Sequence, residues 1–354
     1  MIQIPPELRQ DCTAEILALL GQNPLSESDP IRLFHVARCN KLLHLLPIND
    51  PALRPIRADL LRAQIATAQM NRRAIDLACE TSHALAALGV RHLVLKGPFQ
   101  QIRLHGTGHL RPSGDVDLYV SPRQRKAAAE AILAAGFAVV EPEKARWWLA
   151  FMGEQHFRRA KDGAMIDLHH RLHQFGLPGW RHAEAILDRA EPVMPEVIPV
   201  AGDADGCLLL AISIAKSLLA KEPCGWAVRD LAIWLGKLSA EDLARLWHIA
   251  KEAGQRRVLE LSLRLVDAVT AASPRVETGS GLRGLNASDL RDLVYQPWRL
   301  SPETSPRRRQ LLTSLGRGRP GSVMAQAVLS GLSPFVLGWQ TEGARTLFRR
   351  ARDR

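Results

Sequence analysis

Apolar and polar positions divide the chain into stretches of different period. Between Arg57 and Leu88 the apolar residues Leu60, Leu61, Ile65, Ala68, Ile75, Ala78 and Leu85 fall close to one helical face, which predicts a long helix stopped at Gly89. The chain before it, from about Pro6, also reads as helical. From Arg91 the pattern shortens. Arg91–Lys96 (RHLVLK) is apolar, partly β-branched and bounded by Gly97-Pro98, as a buried strand should be. Phe99–Leu104 has room for one or two helical turns, and His105–Gly114 (HGTGHLRPSG) reads as a loop by its glycines and proline. Val116–Val120 predicts a second strand, Arg123–Ala135 a helix that stops at Gly136, and Phe137–Val140 a third strand. Asp162-Gly163 between two alternating segments predicts a hairpin of His156–Ala160 with Ala164–His169.

After Pro178 the spacing of Leu, Ile, Ala and Trp becomes helical again, to about Ala271. Residues 272–320 are rich in Pro, Gly, Ser and Arg and read as a loose region, and a last apolar helix is expected over Ser322–Leu337. No internal repeat is visible. The fold class expected is α+β, a small mixed sheet flanked by N- and C-terminal helical regions. The expected divisions are a helical region over 1–88, the α/β core over 89–175, a second helical region over 176–271 and a basic tail over 272–354.

Composition narrows this picture. With 354 residues, 46% of them hydrophobic, the chain can bury a large core and is no disordered segment. No apolar run reaches the ~18 residues of a membrane span, and the first residues lack the pattern of a secretory signal, so a cytoplasmic protein is expected. The five cysteines form no C-x-x-C pair, which suggests neither a zinc site nor a disulfide framework. The net charge of +11 is uneven: from Arg299 onward eleven arginines face three acids, leaving the first 298 residues only mildly basic. A phosphate-rich partner such as tRNA would therefore meet the tail, whose plainer reading is a solvated linker. Aromatic residues are sparse there, so no stacking platform for single-stranded RNA is evident.

The candidate chemistry lies in Asp115-Val116-Asp117-Leu118. Alternate residues of a strand share a face, so Asp115 and Asp117 project together, and their repulsion is relieved by a divalent cation. Mg²⁺ suits oxygen ligands shared with substrate phosphates, and Mn²⁺ is the alternative. Alone, a D-x-D pair is weak evidence. Lys96-Gly97 ends the preceding strand, where an ammonium can sit among phosphate oxygens and glycine admits a close approach. Arg111 and Ser113 precede the pair in a loop that would face a nucleotide. Asp167, between Ile166 and Leu168, is an acid in an apolar strand and is expensive unless paired or liganded. Three converging carboxylates and a triphosphate would make a two-metal phosphoryl- or nucleotidyl-transfer site, with Asp167 as the base.

The motifs L-x-L-K-G (Leu93–Gly97), R-P-x-x-D-x-D-L (Arg111–Leu118) and I-D-L-H (Ile166–His169) resemble the bacterial "uncharacterised nucleotidyltransferase" family of the polymerase-β-like nucleotidyltransferase superfamily. The resemblance extends more weakly over roughly residues 25–270. It implies a nucleotidyltransferase sheet with helical flanks, a Mg²⁺-dependent reaction with an NTP such as ATP, catalytic and metal-holding Asp115, Asp117 and Asp167, and nucleotide-binding Lys96, Gly97, Arg111, Ser113 and His169. Lys96-Gly97 stands where the wider superfamily has Gly-Ser, which makes the choice of base less predictable. The acceptors implied are small molecules, modified peptides or saccharides. The alternatives are a toxin-type enzyme modifying tRNA and a non-catalytic nucleotide-binding relative.

Some features tempt. His169 and His173 stand four apart, but a zinc site would need a helix there and further ligands. His169 shares the face of Asp167 and is placed to orient a carboxylate or touch a phosphate, and His156 on the partner strand is a weaker candidate. Trp226 and Asp230 read first as core packing and a paired acid, and second as a wall over the nucleotide site.

Overall fold

The computed structural model describes residues 5–172, 177–193, 197–270, 282 and 285–300, together with Leu315, Met324 and Val328. His173, Arg307–Arg309, Arg317 and Arg319 lie outside the described residues, as does most of the terminal helix expected from Ser322.

The chain opens with Thr13–Leu19 (α1) and Pro30–Cys39 (α2). Asp29 accepts hydrogen bonds from the N–H groups of Ile31 and Arg32, and Pro30 fills the first turn of α2. The long helix predicted from its spacing is Arg57–Ala87 (α3), and Gly89 turns the chain away with φ +68. The five expected strands follow as His92–Val94 (β1), Asp115–Val120 (β2), Phe137–Val139 (β3), Glu154–Arg159 (β4) and Met165–His169 (β5). Between them run Pro98–His105 (α4), Arg125–Ala134 (α5) and the single turn Ala145–Trp147 (α6). At the predicted hairpin Asp162 accepts from Arg159 and from the N–H of Ala164, and Gly163 takes φ +71.

One stretch differs from expectation. Past the short helix Ala185–Asp188 (α7), the chain forms a hairpin of Ala190–Val193 (β6) and Ile198–Ala201 (β7), where helix was expected from Pro178 onward. Pro192 and Pro199 deny helical hydrogen bonds here, and Val193, Ile198 and Val200 are β-branched. Helices then return as Asp203–Ala220 (α8), Gly225–Lys237 (α9), Ala240–Glu252 (α10), Arg256–Thr270 (α11) and Ala287–Tyr295 (α12). None of the described helices is long and apolar enough to cross a membrane.

The seven strands make one mixed sheet in the order β3-β4-β5-β2-β1-β7-β6. Strand β2 runs parallel to β5 and antiparallel to β1, and β7 joins parallel to β1. Strand alternation sorts the side chains. Val94, Val116, Leu118, Ile166 and Leu168 pack with Leu77, Ala78 and Leu85 of α3 and Ile132 of α5. On the other face Leu93, Leu95 and Tyr119 join a second core that contains Leu208 and Ala211 of α8, Leu231 of α9 and Leu33 of α2. The sheet is thus covered on both faces, and Asp115 and Asp117 share the face of Tyr119, towards the second core.

The N-terminal and C-terminal helices meet at Asn40. Its amide donates to the carbonyls of Val36 and Tyr295, and its Oδ1 accepts from the N–H of Gly225. A Cβ at Gly225 would stand 2.5 Å from the Tyr295 ring and 2.6 Å from Asn40 Oδ1, and both neighbours are fully buried. Alanine favours a helix over glycine by at most ~1 kcal/mol, whereas overpacking a rigid site costs ~1–3 kcal/mol. Gly225→Ala is therefore expected to destabilise the fold by ~1–2 kcal/mol in urea denaturation. A variant as stable as the parent would show that this contact is slack.

Candidate active site

Parallel pairing of β2 with β5 sets Asp117 directly opposite Asp167, and Asp115 lies one alternation away on the same face. Each of the three side chains offers an oxygen, and these oxygens lie within 4.8 Å of one another. Among the described residues this is the one such group of three or more acids, histidines or cysteines. Lys96 follows β1, whose extension is fixed by the bond from the N–H of Leu95 to the Asp117 carbonyl at 3.0 Å. Its ammonium lies 3.1 Å from Asp117 Oδ1, at the end of a half-exposed side chain.

His169 ends β5. Its Nε2 is 3.1 Å from Asp117 Oδ1, and its Nδ1 is 3.1 Å from Glu154 Oε2. The other Glu154 oxygen lies 3.4 Å from His156 Nε2. Of the two uses expected for His169, the geometry displays the hold on a carboxylate: both ring nitrogens face acids. His169 belongs to a strand and not to the helix that a zinc reading would need there.

These contacts sort the charges. Burial, the largest influence on Asp117, works to raise its pKa, but Lys96 and His169 overcome it and hold the carboxyl at about 2. Burial and then Asp117 push Asp167 up to about 6, against the pull of His156. Burial works to lower His169, yet its bonds to Asp117 and Glu154 bring it to about 9. Burial likewise opposes the charge of Glu154, which His156 and His169 hold well below the usual carboxylate range. Asp117 holds Lys96 well above the ordinary lysine value. The repulsion expected between Asp115 and Asp117 is therefore answered at Asp117 by a lysine and a histidine, and the strain collects on Asp167.

The loop before Asp115 is clamped. Asn71 of α3, fully buried, donates to the carbonyls of Gly108 and Arg111 at 2.6 Å and accepts from the N–H of Ser113 at 2.8 Å. Gln101 of α4 accepts from the N–H groups of Leu110 and Arg111. Gly97 has φ +92, and its missing side chain leaves room for Ser113, whose Oγ lies 3.0 Å from where a Cβ would stand. Arg111 does not face the triad with a free guanidinium. It is buried, paired with Asp230 of α9, and stacked 4.6 Å from the centre of the Trp226 ring. His105 takes the other Asp230 oxygen at 3.0 Å. Asp230 is thus a paired acid, as first read, while Trp226 both packs and lines the cleft.

That cleft has a volume of about 330 Å³. Its floor is Asp115, Asp117, Asp167 and Lys96, and its opposite wall includes Lys41, Ser213, Lys216, Ser217 and Trp226. The model of the uncharacterised nucleotidyltransferase family matches residues 26–271. The chain belongs to this family. As a nucleotidyltransferase it is a transferase, and its match spans the sheet and the helices on both sides of the cleft. No curated protein matches it.

The donor set of this nucleotidyltransferase fits a divalent cation. Three carboxylate oxygens converge, and an ammonium already stands beside one of them where positive charge is required. Lys41, Lys216 and Glu154 escaped the sequence reading. Lys216 lies on α8 and Lys41 in the turn after α2, both far along the chain from the acid motifs, and Glu154 sits just before the predicted strand His156–Ala160.

A pH effect follows. An unfolded Asp167 would titrate near 3.8, and in the metal-free fold it titrates at about 6. The folded state therefore binds this proton more tightly, so this group costs no stability below pH ~4 and its full penalty above pH ~6. Asp167→Asn removes the penalty. In chelator, the variant is expected to exceed the parent by on the order of 2 kcal/mol at neutral pH, allowing for partial solvent contact, and to match it near pH 4. Equal melting temperatures at neutral pH would contradict the crowding.

Proposed function

We propose that the protein transfers a nucleotidyl group from an NTP to a hydroxyl or phosphate of a small-molecule or peptide acceptor, using Asp115, Asp117 and Asp167 to hold divalent cations. The observation that carries this is the convergence of the three carboxylates beneath Lys96 in a cleft walled by further cations. Bound there, Mg²⁺ or Mn²⁺ supplies the charge that lets three acids face a triphosphate and lowers the pKa of an acceptor hydroxyl.

The residues divide the work. Lys96, with Lys41 and Lys216 across the cleft, holds the triphosphate by charge. Ser113 and the clamped loop before Asp115 keep the nucleotide side of the floor rigid, which reduces the loss of freedom on binding. The acceptor oxygen attacks the α-phosphorus, the bond from that phosphorus to the bridging oxygen breaks, and pyrophosphate leaves. Asp167 takes the acceptor's proton as general base. Arg111 acts from behind by holding Trp226 against the cleft.

A cleft of about 330 Å³ is of the size that takes one small ligand such as a nucleotide. A tRNA acceptor would draw on the arginines beyond Arg299, outside the described residues. A mere nucleotide binder would have no use for the proton-accepting Asp167.

The test is incubation with each α-³²P-labelled NTP, Mg²⁺ and host extract. Label should pass to an acceptor, and Asp117→Asn should lower the turnover more than tenfold, which is ~1.4 kcal/mol or more of transition-state stabilisation. A variant that retains more than about a tenth of the activity would exclude the metal-holding role.

Lys96→Ala separates the phosphate role from base recognition. As a point charge on the triphosphate, Lys96 should matter equally for every NTP, so its loss should raise KM by a similar factor for two different bases and also lower kcat. Wild-type constants would remove Lys96 from the mechanism, and a changed base preference would place it at the other end of the nucleotide.

A further inference from the structure

Beside the acids runs a line of side chains that the reaction as written does not use, two of which, Glu154 and His169, also line the cleft. Strand β4 pairs antiparallel with β5, setting Glu154 opposite His169 and His156 opposite Asp167. Glu154 and His156 are two residues apart and so share the face of the acids. Glu154 is 8% exposed. A buried carboxylate is expensive unless it is paired, and an apolar residue would serve the sheet equally well. Its pairing accounts for its presence. One oxygen holds His169 Nδ1 at 3.1 Å and the other faces His156 Nε2 at 3.4 Å. The Trp148 ring packs on the far side of this line, 4.6 Å from the His156 ring centre.

We propose that Glu154 is a positioning residue for the metal site: it fixes the ring of His169, and His169 in turn fixes the carboxylate of Asp117. The proposal rests on the reading of Asp117 as a metal-holding residue. His169 and Lys96 both engage Oδ1 of Asp117, so the carboxylate is held by one oxygen and its rotation sets the direction of the other. A histidine bonded at one nitrogen only can tilt about that bond. Bonded at both, it is locked in the plane that joins Glu154 to Asp117. Outer partners of this kind change metal affinity by roughly 10–100-fold when removed. The sheet supplies the arm at no cost in loop order, because Glu154, His169 and Asp117 stand on the three neighbouring strands β4, β5 and β2.

The experiment uses the full chain and Mn²⁺ as probe, with free Mn²⁺ followed by electron paramagnetic resonance, so that no acceptor or turnover is needed. Glu154→Gln keeps the size and an accepting oxygen but removes the charge. Glu154→Asp keeps the charge and withdraws it, and carries the test should the glutamine variant not accumulate. The expected result is a dissociation constant for Mn²⁺ raised about tenfold or more at unchanged stoichiometry. If Glu154 served only to hold the fold together, the number of sites per chain would fall while the affinity of the remaining sites stayed at the parental value. That result, or parental affinity in both variants, overturns the proposal and leaves the role of Asp117 standing. Absence of Mn²⁺ binding by the parent protein, or parental affinity in Asp117→Asn, overturns the proposal together with the reading on which it rests.

Discussion

Three carboxylates forced together on two adjacent strands set the terms for the rest of the site. The parallel register of β2 and β5 places Asp117 opposite Asp167 and brings Asp115 beside them, so their oxygens come within 4.8 Å. Acids at that distance cannot all stay charged in a buried place without compensation. The compensation is uneven. Asp117 receives Lys96 and His169 and is held low, while Asp167, with weaker help from His156, is pushed up to about 6. The crowding is thus not spread over the three residues. It is concentrated on Asp167, and the one most firmly neutralised, Asp117, is the most deeply buried. Lys96 and His169 answer this repulsion at Asp117, and Glu154 joins it through His169.

Much of this was legible because it is local. Alternation along Asp115–Val120 places the two aspartates on one face without reference to anything else, and Asp162-Gly163 sets the hairpin that carries Asp167. The Gly89 and Gly136 stops, both at positive φ, mark the ends of α3 and α5 within a few residues. Other features depend on partners far along the chain. Asn71 looks like an ordinary polar residue in a helix, yet it is fully buried because it clamps Gly108, Arg111 and Ser113. Arg111 sits where a phosphate contact was expected, but Asp230, more than a hundred residues later, takes its guanidinium. Strands β6 and β7 were hidden by the helical sequence on either side of them. Their prolines and β-branched residues were visible signals, and the helical period around them outweighed those signals.

The cleft carries both signs of charge: Asp115, Asp117, Asp167 and Glu222 line it together with Lys41, Lys96, Arg171 and Lys216. Neither a bare anion nor a bare cation complements such a surface, because each would meet attraction and repulsion together. A polyanion that carries its own divalent cation would satisfy both, in keeping with the proposed reaction. This complementarity explains why the helical regions cannot be regarded as mere supports for the sheet. The family match over residues 26–271 includes α2, α8 and α9, the elements that bring Lys41, Lys216 and Trp226 to the cleft or next to it.

Rigidity of the loop before Asp115 then follows from where the permanent charges are buried. An arginine cannot lose its proton to escape burial, so Arg111 must be paired wherever it is enclosed. Its pairing with Asp230 ties the loop before Asp115 to α9, and its stacking on Trp226 ties the same loop to the cleft wall. Asn40 joins α2 to the start of α9, one residue before Trp226, so the segment carrying Lys41 is anchored to that wall as well. Loop, floor and wall are therefore linked through one helix end. For the proposed reaction, in which the protein contributes position and charge, a cleft with its walls already fixed would lower the barrier, because little would remain to be ordered when the substrates arrive.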